Sequence, residues 1–235
     1  MIPLVKPFIP PREYLMPALE EILYSGYIAE GEPVYEFERQ FANYIENPNV
    51  LALHSGTDAL HLALLLAGVS KGDEVISTPM TAEPTNVAIT MVGAKVAWGD
   101  VDIKTGLLDP DSVRSLITSR TKAIMLVHYA GMVCNMDEFN IISKEFNIPI
   151  IEDAAHALGS RYNGKFIGSN SPYTIFSLQA IKHMTTVDGG FLTLKTGDQL
   201  PRAKKMRWFG LDKGKGRLQN DITEKCDKKV GTTCI

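Results

Sequence analysis

The sequence predicts an α/β fold in which a mainly parallel mixed sheet is flanked by helices. From about residue 50 onward, short runs rich in β-branched residues alternate with amphipathic stretches of helical length. Parallel strands need a crossover connection that is usually a helix, so this alternation indicates βαβ units. Of the 235 residues, 45% are hydrophobic and 22% are charged, a composition typical of a globular domain with a sizeable core.

The pattern predicts seven short strands and four amphipathic helices in the main part of the chain. The strands are expected at 50–53, 74–78, 95–101, 123–129, 149–152, 174–178 and 190–194. The helices, in which apolar residues recur every three or four positions, are expected at 59–67, 85–91, 112–117 and 136–146. Asp109, followed by Pro110, is a typical N-terminal cap for the third of these helices.

Three regions are expected along the chain. Residues 1–49 predict an N-terminal arm whose two helices, at 15–23 and 34–44, pack onto the main domain. Residues 50–212 form that main domain. Residues 213–235 predict an irregular tail, because Lys, Gly, Asp and Thr dominate there without apolar periodicity.

Charge and cysteine usage exclude several classes of function. With 24 basic and 27 acidic residues the net charge is -3, so the chain lacks the basic field that attracts nucleic acid or an anionic membrane. Cys134, Cys226 and Cys234 lack metal-ligand spacing and favour a reducing compartment. The proline-interrupted N-terminus is not typical of a signal peptide, and the apolar run at 62–69 is too short to span a bilayer, so we expect neither a leader nor a membrane span. We therefore expect a soluble cytoplasmic protein without a metal site.

The segment 51–60 predicts a strand that ends in a tight turn and opens a helix. Backbone N–H groups at a helix start can bind an anion, Gly56 permits close approach, and the Thr57 hydroxyl adds a donor. Taken alone, a Ser or Thr at this position is more often only a helix cap.

A second polar site follows the strand at 149–152. Asp153 stands at the carboxyl end, where ligands bind in open α/β sheets, and it could accept a hydrogen bond from a protonated heterocycle nitrogen. His156, three residues on, could reach the same ligand. A helix cap beside a hydrogen-bonded core histidine is the plainer interpretation of these two residues.

Lys182 lies in a polar loop between the strand at 174–178 and the pair Gly189-Gly190. Most lysines are only surface charges, but this position favours a side chain that points into a crevice. A phosphate cradle, a carboxylate and a lysine at three strand ends together match the needs of pyridoxal 5'-phosphate (PLP). The lysine forms a Schiff base, the carboxylate keeps the pyridine nitrogen protonated, and the cradle anchors the phosphate.

These motifs resemble the DegT/DnrJ/EryC1/StrS family of sugar aminotransferases, which have the aspartate-aminotransferase fold. The resemblance runs from about residue 3 to residue 224, and the order and spacing of the motifs agree. The matching segments are Ser25-Gly26 with Gly31, 34–41, 55–60, 72–75, 152–156 and the block from Phe176-Ser177 through Lys182 to Gly190. The resemblance implies a PLP-binding large domain. It also implies a C-terminal small domain, most of which is expected to be missing here, since residues 225–235 do not resemble the family.

By position, the resemblance implies that Lys182 carries the cofactor as a Schiff base and shuttles the proton. Asp153 would pair with the pyridine nitrogen, and His156 would lie near the phenolic oxygen. Some dehydratases of the family have histidine in place of the lysine, so Lys182 favours amino transfer over dehydration. The residues implied to hold the phosphate are Gly56, Thr57 and Ser177.

One departure from the family concerns the cofactor ring. Many relatives place an aromatic side chain over it from the motif corresponding to residues 80–86, where this chain has Ala82. His128 and Tyr129 are the candidates that remain to cover that face.

The resemblance implies a homodimeric transferase of polysaccharide biosynthesis that moves an amino group from a donor such as glutamate to a nucleotide-linked keto sugar. Two alternatives stay open at this point. One is a shortened, inactive relative that binds PLP or a full-length partner without turnover. The other is a nucleotide-binding α/β module built on the turn at 55–57, although no glycine-rich dinucleotide fingerprint accompanies it.

Overall fold

The computed structural model describes residues 6–211, and its helices and strands follow the alternation expected from the sequence. Two helices come first, α1 (Arg12–Tyr24) and α2 (Glu32–Ile45). The elements that follow are β1 (Val50–Leu53), α3 (Gly56–Leu66), β2 (Glu74–Ser77), α4 (Glu83–Met91), β3 (Lys95–Trp98), α5 (Pro110–Leu116), β4 (Thr121–Val127), α6 (Met136–Phe146), β5 (Ile150–Asp153), β6 (Arg161–Tyr162), β7 (Lys165–Phe166), β8 (Tyr173–Ser177), β9 (Gly190–Leu194) and α7 (Leu200–Arg207).

One mixed sheet of seven strands has the order β1-β9-β8-β5-β4-β2-β3. The pairings that join β3, β2, β4, β5 and β8 are all parallel. The pairings that β9 makes with β1 and β8 are antiparallel. The mainly parallel mixed sheet predicted from the sequence is therefore confirmed.

Helices cover the sheet on both faces. On one face, Leu60 and Leu64 of α3 belong to a buried cluster with Ile89 of α4 and Ala203 of α7. On the other face, Phe139 of α6 is fully buried in a second cluster with residues of α5, β2, β4 and β5. Because helices cover both faces of the sheet, side chains on either face of β4 and β8 are buried. This explains why these inner strands are nearly continuous apolar runs.

The topology brings three strand ends to one edge of the sheet. β5 and β8 run parallel and end at Asp153 and Ser177. Because β9 is antiparallel to both β1 and β8, those two strands run in the same direction, and Gly190 lies opposite both Leu53 and Ser177. Ligands of open α/β sheets bind at the carboxyl ends of the strands, so a site is expected at this edge.

Gly190 permits a close approach between β9 and the turn that follows β1. A Cβ atom added at Gly190 would lie 2.5 Å from the carbonyl oxygen of Ser55 and 2.7 Å from the nitrogen of Gly56. Backbone atoms cannot give way as the tip of a flexible side chain can. Only glycine therefore lets the start of α3 lie this close to the sheet.

The two N-terminal helices contact the rest of the structure to different extents. The Phe41 ring of α2 stacks on Phe191 of β9, with centroids 4.0 Å apart. By contrast, α1 buries none of its side chains among the described residues, although it was expected to pack on the main domain. Its apolar stripe of Leu15, Leu19 and Leu23, the spacing that predicted packing, is 36 to 56% exposed. The division of the chain into regions stays a prediction.

Several boundaries differ from the sequence-based expectations. β3 ends at Trp98, earlier than the expected end at residue 101, and β4 ends at Val127, before a short helical turn. The β6–β7 hairpin and α7 were not predicted, since two-residue strands show no alternation and α7 buries only Ala203. The tail expected at 213–235 lies outside the described residues. None of the helices within 6–211 is long and apolar enough to cross a membrane.

Removal of the Phe41 ring should strongly destabilise the fold. Phe41→Ala deletes a ring that is 4% exposed and leaves a cavity, so we expect the free energy of unfolding to fall by about 3 to 5 kcal/mol. Tyr24→Ala, at an 84% exposed position of α1, should change it by less than about 0.5 kcal/mol. Urea unfolding followed by circular dichroism measures both variants, and equal losses would contradict the packing of α2.

Candidate active site

The candidate residues singled out in the sequence lie in two groups at the carboxyl edge of the sheet. Gly56, at the start of α3, lies against Ser177, at the end of β8. Asp153, at the end of β5, and Lys182, in the β8–β9 loop, both lie close enough to His156 for their charges to shift its pKa. The structure thus brings together Gly56 and Ser177, which are more than a hundred positions apart in the sequence.

Gly56 and Ser177 form one wall of the site. A Cβ atom at Gly56 would lie 3.0 Å from Ser177 Cβ and 3.4 Å from its Oγ, so the helix backbone lies directly against this serine. The hydroxyl of Ser55 caps α3 by accepting a hydrogen bond from the Asp58 amide at 3.0 Å. Within residues 6–211 the amides of Gly56 and Thr57 have no protein acceptor, which leaves two N–H groups for an anion.

Asp153 is held by a hydrogen bond on each oxygen. The side chain is buried, the Thr85 hydroxyl donates to Oδ2 at 2.7 Å, and the Ala155 amide donates to Oδ1 at 3.1 Å. A carboxylate oxygen can accept two hydrogen bonds, so acceptor capacity remains for a ligand. Asp153 is therefore an oriented acceptor at the strand end.

The loop that carries Lys182 is closed at its base by Leu178. The Leu178 amide donates to the Gly189 carbonyl at 2.8 Å, and the Leu178 carbonyl accepts from the Thr185 hydroxyl at 2.9 Å. Partial burial lowers the pKa of the Lys182 amine, and the Asp153 carboxylate opposes that effect. A lowered pKa increases the fraction of neutral amine, which is the nucleophilic form.

His156 contacts the short helical turn Tyr129–Gly131. Its Nδ1 accepts a hydrogen bond from the Ala130 amide at 3.4 Å, so the proton of the neutral ring belongs on Nε2. Burial and then the Lys182 cation lower the pKa of His156, while Asp153 acts in the opposite direction. In this neutral form, Nε2–H can donate to an oxygen of a ligand.

His128 is not available to cover a cofactor ring. It is fully buried, its Nε2 lies 3.3 Å from the Glu152 carboxylate, and its Nδ1 accepts from the Cys134 amide at 3.2 Å. Because both ring nitrogens are engaged inside the domain, the expectation for His128 is wrong. Tyr129 is half-buried beside the site, and its ring meets the His156 ring edge-on at 5.8 Å between centroids.

Two residues that adjoin or contact Asp153, namely Glu152 and Thr85, were not predicted to have a role at the site. Glu152 is buried and accepts hydrogen bonds from the hydroxyls of Ser171 and Thr174. The adjacent pair Glu152-Asp153 was a usable signal, because neighbours in a strand face opposite sides and one of them must find partners in the core. Thr85 had no such signal, since its partner Asp153 lies 68 positions away in the sequence.

Comparison of the sequence with models of known protein families identifies the family of this chain. The model of the DegT/DnrJ/EryC1/StrS aminotransferase family matches residues 12–233. The chain belongs to this family. The resemblance carried by the sequence motifs is therefore confirmed, and the family match spans both groups of candidate site residues. It extends to residue 233, beyond residue 224, where the resemblance was expected to end.

Several known proteins are similar over most of this chain. UDP-4-amino-4-deoxy-L-arabinose--oxoglutarate aminotransferase of Shewanella sediminis is 38% identical over 89% of this chain and 53% of its own length. The crystal structure of AtS13 from Actinomadura melliaura aligns with a TM-score of 0.87 and 37% identity, over 99% of this chain and 62% of its own. Spr1654 from Streptococcus pneumoniae, in its PLP-form, aligns with a TM-score of 0.79 and 35% identity, over 88% and 56%. The chain spans little more than half the length of these relatives.

The charges of Lys182 and Asp153 should move the pKa of His156 in opposite directions. Lys182→Met removes a cation that disfavours the imidazolium, so the pKa of His156 should rise. Asp153→Asn removes an anion that favours the imidazolium, so the same pKa should fall. NMR titration of the His156 Cε1–H signal measures both shifts in the protein without ligand.

Lys165→Met is the matched control for this titration, because Lys165 is exposed on β7, outside the site. It should leave the pKa of His156 unchanged. Shifts of the same sign in the Lys182 and Asp153 variants would contradict the proximity of the three residues.

Proposed function

We propose that the chain is the cofactor-binding part of a PLP-dependent aminotransferase that acts on a nucleotide-linked keto sugar. The observation that carries this proposal is the proximity of Lys182, Asp153 and His156 at the edge where Gly56 lies against Ser177. An amine, a carboxylate and an anion cradle at one edge are the parts that PLP needs. Membership of an aminotransferase family and the PLP-form of a relative support the same cofactor.

The residues present fit the cofactor. The phosphate would be held by Gly56, Thr57 and Ser177, where two amides point outward and a side chain at Gly56 would crowd Ser177. Asp153 would accept a hydrogen bond from the pyridine nitrogen with its remaining acceptor capacity. His156 would donate its Nε2–H to the phenolic oxygen.

Lys182 has two tasks in the proposed reaction. When bound, PLP supplies an electron sink for negative charge that develops on a substrate carbon. The Lys182 amine would hold the aldehyde carbon of the cofactor until the amino donor displaces it, and the freed amine would then take and return the substrate proton. The lowered pKa of Lys182 suits both tasks, because attack on the aldehyde and uptake of the proton start from the neutral amine, and the ammonium formed by that uptake would return the proton.

The proposed substrates follow from the relatives. The Shewanella protein is named for a UDP-linked amino sugar and for oxoglutarate, the keto acid that remains when glutamate gives up its amino group. We therefore infer a nucleotide-linked keto sugar as acceptor and glutamate as donor. A homodimer, a cytoplasmic location and a role in polysaccharide biosynthesis belong to the same proposal.

Lys182 should be required for the visible absorbance that appears when a lysine amine condenses with the aldehyde of PLP. Purified wild-type chain mixed with PLP should show this band and lose it on addition of glutamate, whereas Lys182→Ala should show none. Lys195→Ala, at an exposed position after β9, is the control and should behave as wild type.

Each outcome of the spectral experiment has a definite meaning. A band that survives in Lys182→Ala would overturn the role assigned to Lys182. A wild-type band that glutamate does not bleach would favour the alternative of binding without turnover. No band in the wild type would overturn the proposal for this chain.

Gly56→Ala should weaken binding of PLP but not of pyridoxal, which lacks the phosphate. The added Cβ would press on Ser177 at 3.0 Å and disturb the cradle, so we expect the Kd for PLP to rise about tenfold or more, at about 1.4 kcal/mol per factor of ten. Gly31→Ala is the matched control, because its Cβ would meet no atom closer than 3.5 Å. Equal losses for PLP and pyridoxal in Gly56→Ala would argue against a phosphate contact.

A further inference from the structure

A chain of two hydroxyls leads from the β2–α4 connection to Asp153. The Thr81 and Thr85 hydroxyl oxygens lie 2.7 Å apart, and the Thr85 hydroxyl donates to Asp153 Oδ2 at 2.7 Å. Thr85 is on α4, whereas Asp153 ends β5. The contact therefore links α4 to the end of β5 through their side chains.

The direction of this chain is fixed by chemistry. A threonine hydroxyl has one hydrogen, and Thr85 gives that hydrogen to a carboxylate, which only accepts. Thr81 must then be the donor in its contact with Thr85. Both hydrogen bonds thus point toward Asp153, and polarisation of one bond by the next strengthens such a chain where water is excluded.

Water cannot take the place of Thr85. Thr85 is 1% exposed and Asp153 is 4% exposed. The same connection is also fixed independently, since the Asn86 side-chain amide donates to the Thr78 carbonyl at 3.0 Å and the Met80 backbone amide donates to the Thr78 hydroxyl at 3.1 Å. The position of Thr85 is therefore set by the fold and does not depend on a ligand.

We propose that Thr85, supported by Thr81, is a positioning residue that orients the Asp153 carboxylate as hydrogen-bond acceptor for the pyridine nitrogen of the cofactor. This inference rests on the proposed function. Oδ1 is fixed by the Ala155 amide and Oδ2 by Thr85, so together they set the rotation of the carboxylate plane. Without Thr85 the carboxylate would turn about its last side-chain bond, held by the Ala155 amide alone, and would lose its alignment with the ring nitrogen.

The test uses the binding of PLP and of 1-deaza-PLP, an analogue with C–H in place of the ring nitrogen. Thr85→Val keeps the shape of the side chain and removes the hydroxyl, and Thr85→Ser keeps the hydroxyl. We expect Thr85→Val to weaken binding of PLP about tenfold, in the range of a lost hydrogen bond to a charged group, and to leave binding of the analogue within about twofold. Thr85→Ser should bind both as wild type does. Equilibrium dialysis with the full chain measures each Kd.

Thr90→Val is the matched control on the same helix, because the exposed Thr90 hydroxyl only donates to the Val87 carbonyl. It should change neither Kd. If Thr85→Val does not fold, Thr81→Val should show a smaller selective loss of PLP binding, since Thr81 acts on Asp153 only through Thr85.

The possible results separate this inference from the proposed function. Equal weakening of PLP and its analogue, or no weakening of either, would overturn the role of Thr85 while wild-type binding of PLP still stands. Failure of the wild type to bind PLP would overturn the proposed function and this inference with it. Selective loss of PLP binding supports both.

Discussion

The contact between the backbone of Gly190 and the turn at Ser55 sets the geometry on which the candidate site depends. β9 lies between β1 and β8, and Gly190 faces the last residue of each. Because Gly190 has no side chain, the first turn of α3 comes down to the sheet, and Gly56 reaches Ser177. A larger residue at this one position would separate the two halves of the proposed phosphate cradle.

The two faces of β5 differ, since one presents Asp153 to the candidate site and the other holds the strand in place. Asp153 points to the candidate site, whereas Glu152 points into the domain and accepts from Ser171, Thr174 and the Nε2–H of His128. A buried carboxylate is tolerated only with such a set of donors, so these contacts specify the position of β5. The orientation of Asp153 is thus supported by the Glu152 contacts on the opposite face of β5 as well as by the hydrogen bond from Thr85.

The parts of the fold that the sequence predicted are those set by local patterns. The seven strands of the large sheet and the core helices follow apolar periodicity, and the ends of β1 and β9 agree with the expected positions. The hairpin at β6–β7 and helix α7 escaped because they bury too few side chains to leave a pattern. His128 was misjudged for another reason, since its ring contacts Glu152 of β5, which lies 24 positions later in the sequence.

The candidate site shows the same division. Lys182, Asp153 and Gly56 stand in recognisable local contexts of strand, turn and glycine, so the sequence pointed to them. Their proximity comes from the order of strands in the sheet, which no local pattern encodes. No local pattern points to Thr85, because its contact with Asp153 depends on where α4 packs relative to β5.

The late position of β9 in the chain has a consequence for synthesis on the ribosome. The Asn47 side chain donates to the Leu194 carbonyl 147 positions later in the sequence. The Phe41 ring likewise stacks on Phe191, which is synthesised much later. At roughly 5 to 20 residues per second, α2 and β1 would leave the ribosome on the order of ten to thirty seconds before β9 exists. During that interval an apolar edge strand and a helix with an uncovered aromatic face are exposed, which makes the early part of the chain a natural client for chaperones that shield nascent hydrophobic surface.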